Sequence, residues 1–255
     1  MLLCIDIGNT NIVMGLWDGN SWAAHWRVRT VREQMPDEYA VLLGALLQQS
    51  GYRMQDVSRA VVGSVVPPLT TVFTELFEQY IDSEPLVVGP GVRTGLRIRI
   101  DNPVELGADL VANAVAAFHR FGAACIVVDL GTATTFSAVS QEGDFLGVAI
   151  ALGLGVAAEA LASRTAQLPR VSLVPPPSAI GRNTVHSMQS GLIYGYVGLV
   201  EGLIRRIRSE LGGTAEVIAT GGLSRVLAAL TTEIGTVDPW LTLEGLRLIS
   251  ERNRA

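Results

Sequence analysis

The chain has 255 residues, 49% of them hydrophobic and 17% charged, with a formal net charge of −5. That is enough apolar material to bury a substantial core, which excludes a disordered chain, and the acidic balance offers no basic face for nucleic acid and no polybasic run for anionic lipid. All 19 basic residues are arginines. Without a lysine, a Walker-type phosphate loop and Schiff-base chemistry are both unavailable, so any phosphate must be met by other groups.

Leu2 to Ile5 is a short apolar run that ends in Asp6-Ile7-Gly8-Asn9-Thr10-Asn11, after which Ile12, Met14 and Leu16 alternate. The pattern predicts strand, tight turn, strand. Trp22 to Val28 continues as a third strand, and Asp37 to Ser50 carries Tyr39, Leu42, Leu43, Leu46 and Leu47 at helical spacing behind the start signals Pro36 and Asp37. Ala60 to Val65 is a buried strand, Thr70 to Tyr80 a helix and Pro85 to Val88 a further strand.

The same order then returns. Ala123 to Val128 is an apolar run ending in Asp129-Leu130-Gly131-Thr132, followed by alternation from Thr134 to Val139 and a third strand from Phe145 to Ala151. Asp6 and Asp129 lie about half the chain apart, which reads as an internal duplication with a boundary after residue 118, giving units 1–118 and 119–255. Gly181 to Arg208 is the longest expected helix, with Gly191, Gly195, Gly198 and Gly202 recurring along it to admit a close neighbour, either within the chain or in another subunit. Glu216 to Ala219 is a strand leading into Thr220-Gly221-Gly222 and a helix from Ser224 to Leu230.

Several features have bland explanations. Cys4 and Cys125 sit in strand-like runs as small buried hydrophobes, and with His25, His119 and His186 scattered they form no zinc spacing. Gly153-Leu154-Gly155-Val156-Ala157-Ala158 matches a dinucleotide fingerprint, but no acid occurs between Glu159 and Glu201 to hold a ribose. No segment reads as a membrane span or an export signal, so the expected location is cytoplasmic.

Chemistry is expected at the two Asp-x-Gly turns. Gly8 lets the backbone approach an anion, Thr10 and Asn11 offer donors, and Asp6 can hold Mg²⁺ through water. Alone, this turn is equally the composition of a hairpin; the second copy, with Thr132, Thr134 and Thr135, argues that both line one cleft. Asp109 falls in the first turn of a helix, where an acid suits the dipole but can also accept a proton from a substrate hydroxyl during phosphoryl transfer.

In order along the chain, Asp6-Ile-Gly-Asn-Thr10, Arg93-Thr-Gly-Leu96 with Asp101-Asn-Pro103, Glu105-Leu-Gly-Ala-Asp109, Asp129-Leu-Gly-Thr-Ala-Thr-Thr-Phe136, Gly181-Arg-Asn-Thr184 and Ala219-Thr-Gly-Gly222 resemble the motifs of type III pantothenate kinases, in the acetate kinase, sugar kinase and actin superfamily. The resemblance implies an α/β fold of duplicated ribonuclease-H-like (actin-like ATPase) domains, with mixed sheets flanked by helices. It further implies a homodimer that phosphorylates pantothenate from ATP with Mg²⁺ and a monovalent cation, K⁺ or NH₄⁺, in the first step of coenzyme A synthesis. On that resemblance Asp109 is the proton acceptor. Asp6, Gly8, Asn9, Thr10, Asn11 and Thr132 meet ATP, Asp129 binds the cation, and Ile100, Gly107, Ala108, Asp109, Leu110 and Thr184 form the acceptor site, Thr184 across the dimer.

The chain departs from the family pattern at Leu110, where an arginine is usual, at Ile100, where a tyrosine is usual, and at Ser137, where an aspartate is common. The usual Gly-Gly-x-Ile-x-Pro-Gly is Gly147-Val148-Ala149-Ile150-Ala151-Leu152-Gly153. These departures gather around the acceptor site and leave the nucleotide motifs whole. They raise an alternative, a degenerate ATP-binding paralogue or regulatory accessory factor without transfer.

Overall fold

The computed structural model describes residues 1–81 and 83–254. Two compact units emerge, the first made of Met1–Leu96, Asp101–Ala116 and Leu241–Ala255, the second of Arg97–Ile100 and Ala117–Trp240.

The first unit is built on β1 (Leu2–Ile7), β2 (Asn11–Trp17), β3 (Trp22–Arg29), β4 (Arg59–Ser64) and β5 (Leu86–Val87), ordered β3-β2-β1-β4-β5. The first three strands are antiparallel neighbours, whereas β1–β4 and β4–β5 are parallel. As the central strand β1 is covered on both faces, and its Leu2–Ile7 run is accordingly almost continuous in apolar residues. One face buries Leu3, Ile5, Ile12 and Met14 under α1 (Pro36–Gln49) and α2 (Pro67–Tyr80), which contribute Tyr39, Leu43, Phe73 and Phe77. Each helix opens with proline at its first position, where no amide donor is lost.

In the second unit, β6 (Arg97–Ile98), β7 (Cys125–Leu130), β8 (Ala133–Val139), β9 (Asp144–Leu152), β10 (Glu216–Thr220) and β11 (Thr236–Val237) lie in the order β11-β10-β7-β8-β9-β6. Without β6 this is the order of the first sheet, with the same parallel and antiparallel pairings. The duplication expected from the two Asp-x-Gly turns is therefore a duplication of topology, in the expected ribonuclease-H-like form. The helices here are α4 (Leu154–Arg164), α5 (Thr184–Glu210) and α6 (Ser224–Ala228), and α5 buries Ile193, Tyr196, Val200 and Ile204 with Ile126, Val128 and Phe136 of the sheet.

The expected division after residue 118 needs correction. The break falls inside α3 (Ala108–Phe121), the segment from Leu241 on belongs to the first unit, and Arg97–Ile100 joins the second through the pairing of β6 with β9. The C-terminal segment forms α7 (Leu241–Arg252), a helix absent from the expectations above. Glycine notches explain where it rests: Leu243 and Leu246 lie over Gly15 and Gly63, where a Cβ would come within 2.8 and 2.9 Å of them. Gly245 sits against the backbone of Ala112 on α3, where any side chain would overlap the Ala112 carbonyl. Next to that contact the Thr242 hydroxyl donates to Asn113 Oδ1 at 2.8 Å. The long helix starts at Thr184 rather than Gly181, capped by Asn183, whose Oδ1 accepts from the His186 amide at 2.9 Å. Among the described residues no helix is long and apolar enough to cross a membrane.

Candidate active site

The first Asp-x-Gly turn joins β1 to β2. Ile7 and Ile12 are fully buried and anchor it, Asp6 and Gly8 are half-buried, and Asn9, Thr10 and Asn11 are exposed. The Gly8 amide donates to the Asn11 carbonyl at 3.0 Å, closing the turn. A segment distant in sequence braces it. Thr30 donates from its backbone to the Thr10 carbonyl at 3.0 Å and from its hydroxyl to the Gly8 carbonyl at 2.7 Å, and Arg32 donates to Asn9 Oδ1 at 2.9 Å. Sequence reasoning missed Arg32, because nothing local ties a residue after the third strand to the first turn.

Asp109 is brought to the same end of the sheet. Asp6 pairs in register with Gly63 on β4, and the Ile7 carbonyl accepts from Val65 at 3.0 Å, extending that ladder. The start of α3 rests on this strand end: a Cβ on Gly63 would lie 3.6 Å from the Ala108 methyl, and one on Gly107 would lie 3.4 Å from Val65 Cγ1. Asp109 and Asp6 thus flank the end of β4, and Gly107, Ala108 and Leu110 surround Asp109 as expected from their adjacency. The Leu110 amide donates to Asp109 Oδ1 at 2.8 Å. Burial among these groups pushes the Asp109 carboxyl above its ordinary range, and the Leu110 amide opposes only part of that rise.

In the second unit Asp129 is the penultimate residue of β7, half-buried, in register with Thr135 on one side and Thr220 on the other. Gly221 adopts φ +88°, and a Cβ there would lie 2.6 Å from Asp129 Oδ1. The Thr-Gly-Gly motif therefore supplies both a left-handed turn and the space for this carboxylate. Thr132 is exposed in a turn closed by the Gly131 amide on the Ala133 carbonyl at 3.1 Å, one residue tighter than the Gly8 closure. Gly153 packs on the Gly131 and Thr132 carbonyls, which accounts for the glycine of the fingerprint-like segment as a packing element. Tyr196 of α5 donates its hydroxyl to the Thr134 hydroxyl at 2.5 Å or the Leu152 carbonyl at 2.6 Å, tying α5 to this turn.

Ile100, half-buried, follows β6, and Thr184 is exposed at the first turn of α5. The arginines next to Ile100 are engaged: Arg97 pairs with Asp144, and Arg99 lies 3.6 Å from the same carboxylate. Among the described residues no group of three or more His, Cys, Asp and Glu side chains is placed to hold a metal ion. A divalent ion that arrives with a triphosphate needs only one or two protein carboxylates besides phosphate oxygens and water, and Asp6 fits that sparse requirement.

Comparison with known proteins gives a consistent family. The family model of type III pantothenate kinases matches residues 2–206. The type III pantothenate kinase of Moorella thermoacetica is 51% identical over 253 residues, covering 99% of this chain and all of the relative. That of Roseiflexus sp. strain RS-1 is also 51% identical, over the whole of both chains. Among solved structures, a conserved Baf-family protein from Campylobacter jejuni superposes with a TM-score of 0.62 at 20% identity, over 98% of each chain. The activator of the 2-hydroxyisocaproyl-CoA dehydratase from Clostridium difficile, with bound ADPNP, gives 0.53 at 14% identity over 98% of this chain and 94% of that one. At such identities the superpositions speak for the fold alone.

Proposed function

The chain belongs to the type III pantothenate kinase family, and from that premise we propose how its residues transfer a phosphoryl group from ATP to the hydroxyl of pantothenate, the entry step of coenzyme A synthesis. The observation that carries the assignment of roles is the placement of Asp109, a carboxylate with a raised affinity for protons, at the strand end it shares with Asp6 and the Gly8 turn.

Asp109 accepts the proton of the attacking hydroxyl. Its elevated proton affinity makes it a better proton acceptor than a solvated carboxylate, as a general base requires. Gly107, Ala108 and Leu110 adjoin it and are assigned to the acceptor site; Ile100 and the partner copy's Thr184 are assigned to the acceptor by the family resemblance alone. The turn from Asp6 to Asn11 meets the triphosphate with backbone and side-chain donors in place of a lysine. Thr132, in the equivalent turn of the second unit, is assigned to ATP by the duplication. Mg²⁺, when bound with ATP, neutralises charge on the phosphates, and Asp6 is the residue to hold it, directly or through water. Asp129 is assigned to K⁺ or NH₄⁺, a carboxylate lodged against Gly221.

A homodimer fits the surface of the second unit. Leu146, Ile150 and Leu152 of β9 are 44, 68 and 57% exposed, and among the described residues no atom beyond their own helix backbone and chain neighbours lies within 4 Å of where Cβ atoms on Gly191, Gly195, Gly198 and Gly202 would stand. These glycines therefore serve no packing within the second unit, and a second copy is the neighbour they suit.

A coupled assay of ADP release over a panel of hydroxyl acceptors tests the reading. Pantothenate-dependent release supports it. ATP binding without release on any acceptor would favour the alternative raised by Leu110 and Ile100, a nucleotide-binding paralogue.

A further inference from the structure

We propose that Arg32 is an ATP ligand, supplying at the Gly8 turn the positive charge that a lysine supplies in other phosphate-binding loops; the inference rests on reading that turn as the triphosphate site.

The segment after β3 is fixed more firmly than a connecting loop needs. Thr30 makes two hydrogen bonds to the turn, through its amide to Thr10 and its hydroxyl to Gly8. The next residue, Val31, is held at both polar backbone groups by the Tyr39 phenol: the Val31 amide donates to the Tyr39 hydroxyl at 3.2 Å, and that hydroxyl donates to the Val31 carbonyl at 2.9 Å. Tyr39 is 2% exposed on α1, so the clamp is anchored in the core. Four hydrogen bonds on two consecutive residues thus aim the third, Arg32, at the turn, where its Nη2 donates to Asn9 Oδ1 at 2.9 Å.

Arg32 has no ion-pair partner among the described residues, and a neutral carboxamide oxygen takes one of its five N–H donors. Its remaining N–H donors stand beside the exposed residues Asn9, Thr10 and Asn11. Polyphosphate is the ligand class this suits: a planar fork of donors grips phosphate oxygens bidentately, and fixing it in advance lowers the ordering cost of binding. The need is local as well, because Asp6 places a negative charge next to the turn and the chain has no lysine to offset it.

The test is calorimetric titration of the intact protein with Mg·ATP and, separately, with adenosine, which lacks phosphates. Arg32→Gln is expected to weaken Mg·ATP about tenfold or more and to leave adenosine binding and the melting temperature unchanged, as fits the loss of a charge-assisted contact. Arg32→Lys should retain part of the affinity. Arg59→Gln, an arginine at the opposite end of β4, should bind both ligands as the parent does. Unchanged Mg·ATP affinity in Arg32→Gln overturns the proposal, and so does an equal loss for adenosine, which would make Arg32 a brace of the turn rather than a phosphate ligand. Thr10→Ala separates the two readings. If it weakens Mg·ATP while Arg32→Gln does not, Arg32 alone is wrongly assigned; if it binds as the parent does while Arg32→Gln loses affinity, the Thr10 side chain alone is wrongly assigned and Arg32 stands.

Discussion

The carboxylate of Asp109 occupies the space that a side chain on Gly107 would fill: a Cβ there would overlap Asp109 Oδ1. Gly107 is needed for room, because it is not among the glycines with positive φ. Gly107→Ala should therefore displace the carboxylate without straining the backbone. We expect kcat to fall about 10- to 100-fold with Mg·ATP affinity unchanged, since small misplacements of a reacting group carry penalties of that size. Steady-state kinetics with a melting curve on the same preparation checks both halves.

Proton affinity at Asp109 sets the pH dependence. Burial raises its folded-state pKa, so the group must lose its proton at higher pH than a free carboxylate before it can act. The acid limb of kcat/KM for pantothenate should lie above the ordinary carboxylate range. Linkage has the opposite sense for stability: a raised pKa gives stability that is present below the unfolded-state value and is lost as pH rises through the folded-state value. Asp109→Asn should consequently melt higher than the parent at pH 8 and show little advantage at pH 4. A variant that melts lower at pH 8 would contradict the burial argument.

At Asp129 the partner is Gly221. Alanine at that position meets a left-handed backbone and the Asp129 carboxylate together, so Gly221→Ala should cost at least about 1–2 kcal/mol, or roughly 2–4 °C per kcal/mol in Tm. If Asp129 holds a monovalent cation, K⁺ and NH₄⁺ should raise activity several-fold over Na⁺ at matched ionic strength, and Asp129→Asn should erase the difference. Equal rates in all three salts would remove the assignment.

Leu110 and Ile100 test how the acceptor is held. Leu110→Arg with Ile100→Tyr adds a cation for the pantothenate carboxylate and a phenol, each polar contact being worth about 1–3 kcal/mol. The double variant should raise kcat/KM for pantothenate at least about tenfold, through KM more than kcat. No change would mean that the parent already binds the carboxylate with another group.

Much of this was legible in the sequence because it is local. Asp6 and Asp129 each close an apolar run and open a Gly turn, so the duplication and both turns could be read from a few consecutive residues. The rest depends on long-range packing. Leu241, Leu248 and Ile249 do have helical spacing, yet only the notches at Gly15 and Gly63 show that their helix returns to the first unit. Arg97–Ile98 reads as loop until β9 offers its edge. Arg32 becomes visible only when the Tyr39 clamp and Thr30 bring it to Asn9. The glycines on α5 read as a close-packing surface, and it is their empty surroundings within the second unit that turn them outward.

The central claim, that Asp109 is the base in phosphoryl transfer to pantothenate, is tested most directly by comparing the parent and Asp109→Asn in pantothenate-dependent ADP release at saturating Mg·ATP with K⁺, alongside calorimetric Mg·ATP binding. The account predicts turnover by the parent, and in Asp109→Asn a fall in kcat of about 10²- to 10⁴-fold with Mg·ATP affinity retained. A folded Asp109→Asn that turns over at the parent's rate would contradict it.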